Sequence, residues 1–261
     1  MPTSEFICAL TPVHKSDRKC AFAKSFGIRE FSTIEEYGIS SSLDGYHTGC
    51  RVPRIDLSIH CSGPHLETSA HVLPDMSGCT FALALPLGFA ERTLLVTPSL
   101  VTLADSGETY PAGNPCDVVV SASSLAVSLL KFGNERSYDS IIVRIPETAF
   151  EMSADAAEIL DWPYLTIECA GYLNSRFSHY RTNSPSVERA DSQGGMWSHC
   201  GFFGIEHASR TAISTDSNRR TVGELFFLPE YLEDGPYSLS CPYVDWGLDC
   251  AITVPLLYSI G

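Results

Sequence analysis

Short apolar runs, separated by Gly, Pro, Asp or Ser, recur along the chain and predict β-strands. The runs are rich in Val, Ile, Leu and Phe, residue types that pack well on the pleated surface of a sheet. No internal repeat or low-complexity tract interrupts them. The pattern predicts strands over residues 54–60, 93–97, 117–120, 140–145, 222–228 and 251–257.

Helical patterns are fewer than strand patterns. Residues 121–132 place apolar side chains three or four positions apart and end before Gly133, a residue type that commonly follows the last turn of a helix. The remaining helices are predicted over 154–160 with Ser153 as the N-cap, over 163–174 with Pro163 in the first turn, and over 197–203.

Together these elements predict a single α/β domain over residues 1–261, with a mixed, barrel-like β-sheet flanked by helices. A chain of 261 residues can form one domain with a sizeable core. Residues 1–49 are predicted to form an N-terminal extension. Residues 205–219 are polar and follow neither the strand nor the helix period, so they are predicted to be a mobile insertion loop without secondary structure.

The charge balance restricts the partners of the chain. It has 31 acidic and 17 basic residues, a formal net charge of −14. Because a nucleic-acid partner requires clustered Lys and Arg, this excess of acid argues against one. No apolar run reaches the roughly 18–20 residues that span a bilayer, and the first residues lack the basic-then-apolar plan of a secretory signal. We therefore expect a cytoplasmic protein with a small-molecule substrate and no membrane partner.

The spacing of the cysteines does not predict a zinc cluster or a redox-active pair. There are ten, and none lies in a CxxC pair. Structural zinc clusters and thioredoxin-like redox sites both use that close pairing, so neither is predicted. We expect most of the cysteines to be reduced thiols that act as small buried hydrophobic groups.

The candidate chemistry is concentrated in residues 61–71, CSGPHLETSAH. Side chains two positions apart on a strand point to one face, and His60 would then point to the other. His71 lies close enough in sequence to fold back toward that face. Imidazole and carboxylate groups on a rigid backbone suit a borderline divalent cation such as Zn²⁺ or Mn²⁺. The residues that a strand would place together are Cys61, His65 and Glu67.

Two later residues extend this candidate site. His199 lies close after a Gly-Gly pair, and Glu224 lies within the apolar run GELFFLP. A carboxylate in an apolar run is costly to bury unless it is paired or bound to a cation. Glu206 is nearer in sequence to His199 than Glu224 is, and the residues alone leave both glutamates as candidates.

Residues 61–71 resemble the signature HxGTHxDxPxH of the kynurenine formamidase and cyclase group of metal-dependent hydrolases. The resemblance keeps the glycine, two histidines and an acidic residue, but Cys61 stands at the first histidine, and the threonine and proline are missing. Other segments are similar to later parts of that family. These are TIECAGYL at 166–173, TNSPSVE at 182–188, SHCGFFG at 198–204, GELFFLPEYLEDG at 223–235 and the closing segment 236–258.

The resemblance implies the swivelling β/α fold of the cyclase family, one or two Zn²⁺ or Mn²⁺ ions, and a homo-oligomer. It also implies that a metal-bound hydroxide cleaves a small amide, formamide or lactam. With one cation, His71 is free to act as a general base or acid. With two, Glu67 bridges them. The ligands implied by the resemblance are His65, Glu67, His71, His199 and Glu224, with Cys61 or a water completing the first site.

Several alternatives remain open at this stage. Cys61 can be a ligand, which would favour Zn²⁺, or it can merely fill space. His60 can replace it only through a one-residue slip of the strand. A cyclase, dehydratase or lactone-processing enzyme on the same scaffold would explain the altered signature, and so would a homologue that binds a ligand without turnover.

Overall fold

The structure is a computed structural model of the chain. It describes residues 5–10, 19–20, 32–43, 46–57, 60, 63–73, 80–86, 90–133, 137–152, 154, 158–192 and 194–260.

A curled, mixed β-sheet of nine strands dominates the described part of the chain. Its order is β1 (Phe6–Ala9), β19 (Leu256–Ser259), β17 (Gly235–Ser240), β6 (Ala90–Val96), β9 (Ser140–Val143), β13 (His179–Thr182), β16 (Thr221–Glu224), β5 (His65–Thr68) and β18 (Cys250–Ile252). The central strands β6, β9, β13 and β16 are parallel, and the outer strands are antiparallel to their neighbours. The mixed, barrel-like sheet of a single α/β domain is therefore confirmed.

Smaller sheets complete the strand set. Two have three strands: β2 (Lys19–Cys20) with β10 (Glu151–Met152) and β11 (Glu158–Asp161), and β7 (Val101–Thr102) with β8 (Val118–Val120) and β12 (Tyr164–Leu165). Two are hairpins: β3 (Ser32–Leu43) with β4 (Tyr46–Leu57), and β14 (Ile205–Glu206) with β15 (Thr211–Ala212).

The helices are short and several are capped. Ser121 accepts a hydrogen bond from the Ser124 amide, and Thr166 does the same for Cys169, which satisfies free amides at both helix starts. The helices are α1 (Phe81–Ala84), α2 (Leu103–Ser106), α3 (Ala122–Leu129), α4 (Ile167–Asn174) and α5 (Trp197–Phe203). Single 3-10 turns cover Ser69–His71, Leu130–Phe132, Glu147–Ala149 and Thr215–Arg219. No helix of the described residues has the length and apolar character needed to cross a bilayer.

One predicted helix is wrong and one begins later than expected. Residues 158–160, placed in a helix by the sequence, belong to strand β11. Ile159 is buried and Leu160 is exposed, an alternation with the period of a strand. Helix α4 ends at Asn174 as predicted, but it starts after Thr166, because Tyr164 and Leu165 pair with β8 instead. The helix predicted over 197–203 is confirmed.

Residues 205–219 also differ from the prediction. The hairpin β14–β15 and a 3-10 turn occupy this segment, so the expectation of a loop without secondary structure is wrong. The Arg210 guanidinium donates to the Gly195 carbonyl, and the His207 ring stacks on Trp197. Near the start of the chain, β1 joins the edge of the main sheet, so residues 6–9 belong to the sheet and not to a separate extension.

The core lies on both faces of the main sheet. On β9, Ile141 and Val143 face a cluster that includes residues of helices α3, α4 and α5, while Ile142 faces a second cluster on the opposite side. Leu66 on β5 belongs to this second cluster. Since successive side chains alternate, the neighbours of Leu66 point to the helix-bearing face. Those neighbours are His65 and Glu67.

Candidate metal centre

The register of two neighbouring strands places the first donors side by side. Strand β16 pairs antiparallel with β5 so that Glu224 lies directly opposite His65. Directly opposite residues point to the same face of a sheet. His65 Nε2 accordingly lies 3.5 Å from Glu224 Oε2 and 3.4 Å from Glu67 Oε1. His65, Glu67 and Glu224 are all buried.

Helix α5 brings a third element to this group. His199 Nε2 lies 2.8 Å from Glu67 Oε2 and 3.6 Å from Glu224 Oε1. The backbone amide of Val187 also donates a hydrogen bond to Glu224 Oε1, over 2.8 Å. The carboxylate of Glu224 is thus fixed from one side by the backbone and faces two histidines on the other.

A buried carboxylate behind His199 fixes the orientation of its ring. Glu188 Oε1 accepts from both the backbone amide and the Nδ1 of His199, at 2.8 and 2.9 Å. The Tyr110 hydroxyl donates to Glu188 Oε2 over 2.5 Å. Because Nδ1 donates to Glu188, Nε2 is the nitrogen directed at Glu67. Such carboxylate–histidine pairs are usual behind metal-binding histidines.

The opposite side of the cluster opens to solvent. His60 Nδ1 lies 2.9 Å from Glu67 Oε1, and His71 Nε2 lies 3.7 Å from the same oxygen. His71 Nδ1 donates to Asp249 Oδ2 over 2.7 Å. The side chains of His60, His71 and Asp249 are 28%, 21% and 30% exposed, whereas His65 is fully buried. A substrate would therefore reach the cluster from this side.

The pKa shifts show that the cluster attracts positive charge. Burial would lower the pKa of His65, but the carboxylates of Glu224 and Glu67 outweigh it and raise the pKa to about 10. Burial would also lower the pKa of His60, but Cys250 and Glu67 outweigh it and raise the pKa to about 10. Despite burial, His71 and His199 hold the pKa of Glu67 well below its usual value. A bound cation would neutralise these buried carboxylates in place of the protons on the histidines.

The donor set fits a divalent cation. His65 Nδ1 donates to the Gly63 carbonyl, and its buried Nε2 has no hydrogen-bond partner among the described residues. Ligands about 2.1 Å from a tetrahedral cation lie about 3.4 Å apart, close to the spacing of His65 Nε2 from Glu67 and Glu224. Within the described part of the chain, three groups of donor atoms could hold an ion: His60, His65 and Glu67; Glu67, His71 and His199; and His60, Asp249 and Cys250.

The structure brings together five of the residues selected from the sequence, all within one cluster: His65, Glu67, His71, His199 and Glu224. Cys61, the sixth, lies outside the described residues. Glu206 stays apart, since it is exposed and bonds Ser209.

His60 is the main correction to the sequence interpretation, which pointed it to the opposite face. The strand begins only at His65, and Gly63 has a φ of 150°, a backbone conformation that other residues rarely adopt. Strand alternation therefore does not extend back to residue 60. His60 contacts Glu67 without any slip of the strand.

Sequence reasoning missed three further members of the site: Glu188, Asp249 and Cys250. Glu188 ends the segment TNSPSVE, which the family resemblance had marked without a role. Asp249 and Cys250 had no local signal, because they reach the site only through the pairing of β18 with β5. That pairing sets Cys250 opposite Glu67.

Comparison with known proteins shows the fold alone. No protein-family model matches the chain, and no curated protein sequence matches it. Among solved structures, a predicted metal-dependent hydrolase from Bacillus stearothermophilus is similar over 98% of both chains, with a TM-score of 0.57 and 15% identity. Isatin hydrolase A from Ralstonia solanacearum is similar over 97% of this chain and 91% of its own, with a TM-score of 0.60 and 12% identity.

A third solved structure is a potential metal-dependent hydrolase with cyclase activity. It is similar over 98% of this chain and 96% of its own, with a TM-score of 0.54 and 15% identity. The chain spans nearly the whole length of all three proteins. The chain therefore shares the fold of these three proteins.

Proposed function

We propose that the chain is a metal-dependent hydrolase that cleaves a small amide, formamide or lactam. The observation that carries this proposal is the position of Glu67. Its carboxylate contacts His60, His65 and His71 from one short segment, and His199 from the distant helix α5. Such a convergence of imidazoles on a buried carboxylate is typical of sites for Zn²⁺ or Mn²⁺.

The ligand roles follow from the contacts. His60, His65 and Glu67 would hold one cation. Should a second bind, Glu67 would be shared, and His199 and Glu224 would serve the second ion. Glu188 would keep His199 Nε2 directed at the cluster. When bound, a divalent cation supplies a Lewis acid that activates water and polarises an acyl carbonyl.

His71 is suited to transfer the proton of the attacking water to the leaving group. Asp249 accepts from its Nδ1, so Nε2 is left to accept a proton from the attacking water on the side of Glu67. The same nitrogen can then give that proton to the leaving amine. His71 is also partly exposed while His65 is fully buried, which places His71 on the side that a substrate would enter.

An apolar surface pocket, lined partly by strand β18 next to β5, favours a substrate with an aromatic or aliphatic ring. Ile252 lies opposite His65 in the pairing of β18 with β5, and it lines a pocket of about 370 Å³. The other lining residues are Pro242, Tyr243, Val244, Trp246 and Val254. Since one structural neighbour is an isatin hydrolase, cyclic amides fused to an aromatic ring are the first substrates to assay.

Turnover by metal-free and metal-loaded protein tests the proposal. The chain would be stripped with chelator, reloaded with Zn²⁺ or Mn²⁺, and assayed on formylkynurenine, isatin and a panel of simple lactams. Activity should appear only after reloading and should be lost in Glu67→Gln. The exposed Glu230→Gln, which removes a carboxylate that is not part of the cluster, is the matched control. Protein that binds no cation, or that hydrolyses these substrates equally well with chelator, would overturn the proposal.

A second function draws on the neighbour with cyclase activity. A cyclase, dehydratase or lactone-processing enzyme would use the same cluster on a different carbonyl substrate. A panel of lactones and hydroxy acids, run beside the amides, separates the two, because only a hydrolase of amides releases an amine. The homo-oligomer and the cytoplasmic location stay predictions.

A further inference from the structure

One donor group at the open side of the cluster contains a thiol. The donor atoms of His60, Asp249 and Cys250 all lie within 4.8 Å of one another. Asp249 and Cys250 are adjacent at the start of β18, and Cys250 is buried opposite Glu67. The set therefore offers one nitrogen, one oxygen and one sulfur ligand from two chain segments.

We propose that His60, Asp249 and Cys250 form an additional cation site that prefers a thiophilic divalent ion. Thiolate ligands favour Zn²⁺ and other soft or borderline ions over Mn²⁺ and Mg²⁺, whereas the imidazole and carboxylate ligands of the neighbouring site accept either kind. The new site thus differs from the proposed hydrolytic centre in its metal preference. It also differs in its position, since it lies on the exposed side.

The contacts leave each donor available to an ion. Asp249 uses Oδ2 for His71, and a carboxylate has a second oxygen that can ligate. The Cys250 sulfur lies within 4.8 Å of a ring nitrogen of His60 and of a carboxylate oxygen of Asp249. On binding, the thiol would release its proton to solvent and its sulfur would bond the cation.

His60 couples the two sites. It belongs to this group and also to the group with His65 and Glu67. A cation on the thiol side would add positive charge beside Glu67 and beside the His71–Asp249 pair. The occupancy of one site is therefore expected to change the affinity of the other.

Cobalt binding tests the site by an absorption spectrum, which does not depend on enzyme activity. Metal-free protein would be titrated with Co²⁺, and thiolate ligation would be followed by its intense charge-transfer absorption. We expect the band in the wild-type protein and its loss in Cys250→Ser. Cys61→Ser and the exposed Cys116→Ser should keep it. Asp249→Asn, which preserves side-chain shape, should weaken the cobalt affinity of the thiolate site at least about tenfold.

The outcomes of the cobalt titration distinguish failure of this site from failure of the proposed hydrolytic centre. Loss of the band in Cys61→Ser, or its persistence in Cys250→Ser, would place the thiolate elsewhere and overturn the inference. Cobalt that binds without a thiolate band would overturn it too, while the proposed hydrolase would stand. A protein that binds no cobalt would contradict both. Circular dichroism of each variant would show that the fold is retained.

Discussion

Glu67 Oε2 lies 2.8 Å from His199 Nε2, although 132 positions separate the two residues. Glu67 is on strand β5 and His199 is on helix α5, so this contact joins the sheet to the helix layer at the cluster. Two buried polar groups that meet in this way must satisfy each other or a shared ion. The site therefore depends on how α5 packs on the sheet as much as on the motif at residues 61–71.

Removal of the charge behind His199 should weaken metal binding without removing a ligand. In Glu188→Gln the carboxylate that accepts from His199 Nδ1 becomes a neutral amide. We expect metal affinity to fall about 10–100-fold, the usual cost of losing such an outer partner. Tyr110→Phe, which removes only the hydroxyl bonded to Glu188, should cost less.

Competition with a chromogenic chelator measures these affinities. Glu168→Gln is the control, because this exposed carboxylate bonds Thr109 away from the cluster. Equal metal affinity in wild-type protein and Glu188→Gln would show that Glu188 does not orient His199 for a cation.

Replacement of His71 should separate catalysis from metal binding. His71 is the most exposed of the histidines chosen from the sequence, and Asp249 holds its Nδ1. We expect His71→Gln to keep its metal content and to lower kcat by about 10²–10⁴-fold, the usual contribution of a general acid or base. His65→Gln should lose metal instead. If His71→Gln loses metal as well, His71 is a ligand and the proton must move by another group.

Local pattern was enough to find several elements. The apolar runs at 93–97 and 140–145 coincide with β6 and β9, and Trp197–Phe203 is a helix as predicted. Such runs reveal burial because they are long enough to show the strand or helix period. The segment 154–160 was misread as a helix, since so short a segment does not separate the two periods well.

The site was only partly predictable for a different reason. Residues 61–71 stand together in sequence, so their shared chemistry was visible. Asp249 and Cys250 reach the cluster through the pairing of β18 with β5, and strand pairing is a long-range property that no local pattern contains. His60 reaches it because the chain bends at Gly63, whereas the prediction extended the strand back through that residue.

A buried ion pair on the opposite face of the sheet should matter for stability alone. Arg181 Nη2 donates to Glu91 Oε1 over 2.6 Å, and both side chains are fully buried. Arg181→Met would leave the Glu91 carboxylate without its partner and should cost about 3–5 kcal/mol. The double variant Arg181→Met/Glu91→Met should lose less than the sum of the single changes.

Urea unfolding measures these free energies, and metal content should stay unchanged in all three variants because the pair lies on the other face. Additive losses in the double variant would show that the pair contributes nothing beyond its separate side chains.

His179 should make stability fall on mild acidification. Burial lowers its pKa from 6.5 to about 4, with Arg181 and Arg220 acting in the same direction and Glu91 and Asp139 opposing. The unfolded chain therefore takes up this proton near pH 6.5 while the folded protein resists it until about pH 4. From pH 7.5 to pH 5, the folded state should lose about 2 kcal/mol through this group.

The variant His179→Asn isolates this effect, because its amide can replace Nδ1 as the partner of Thr221. Urea unfolding of metal-free protein at both pH values would show a smaller loss in the variant than in the wild type. Equal losses would mean that His179 is protonated in the folded protein.

The proposed function depends on a divalent cation held by His60 together with His65 and Glu67 of strand β5. Crystals equilibrated with Zn²⁺ and measured at the zinc absorption edge test it most directly. We expect an anomalous peak about 2.0–2.2 Å from His65 Nε2 and from an oxygen of Glu67. Crystals in which the cluster shows no anomalous peak, with His199 still bonded to Glu67, would contradict it.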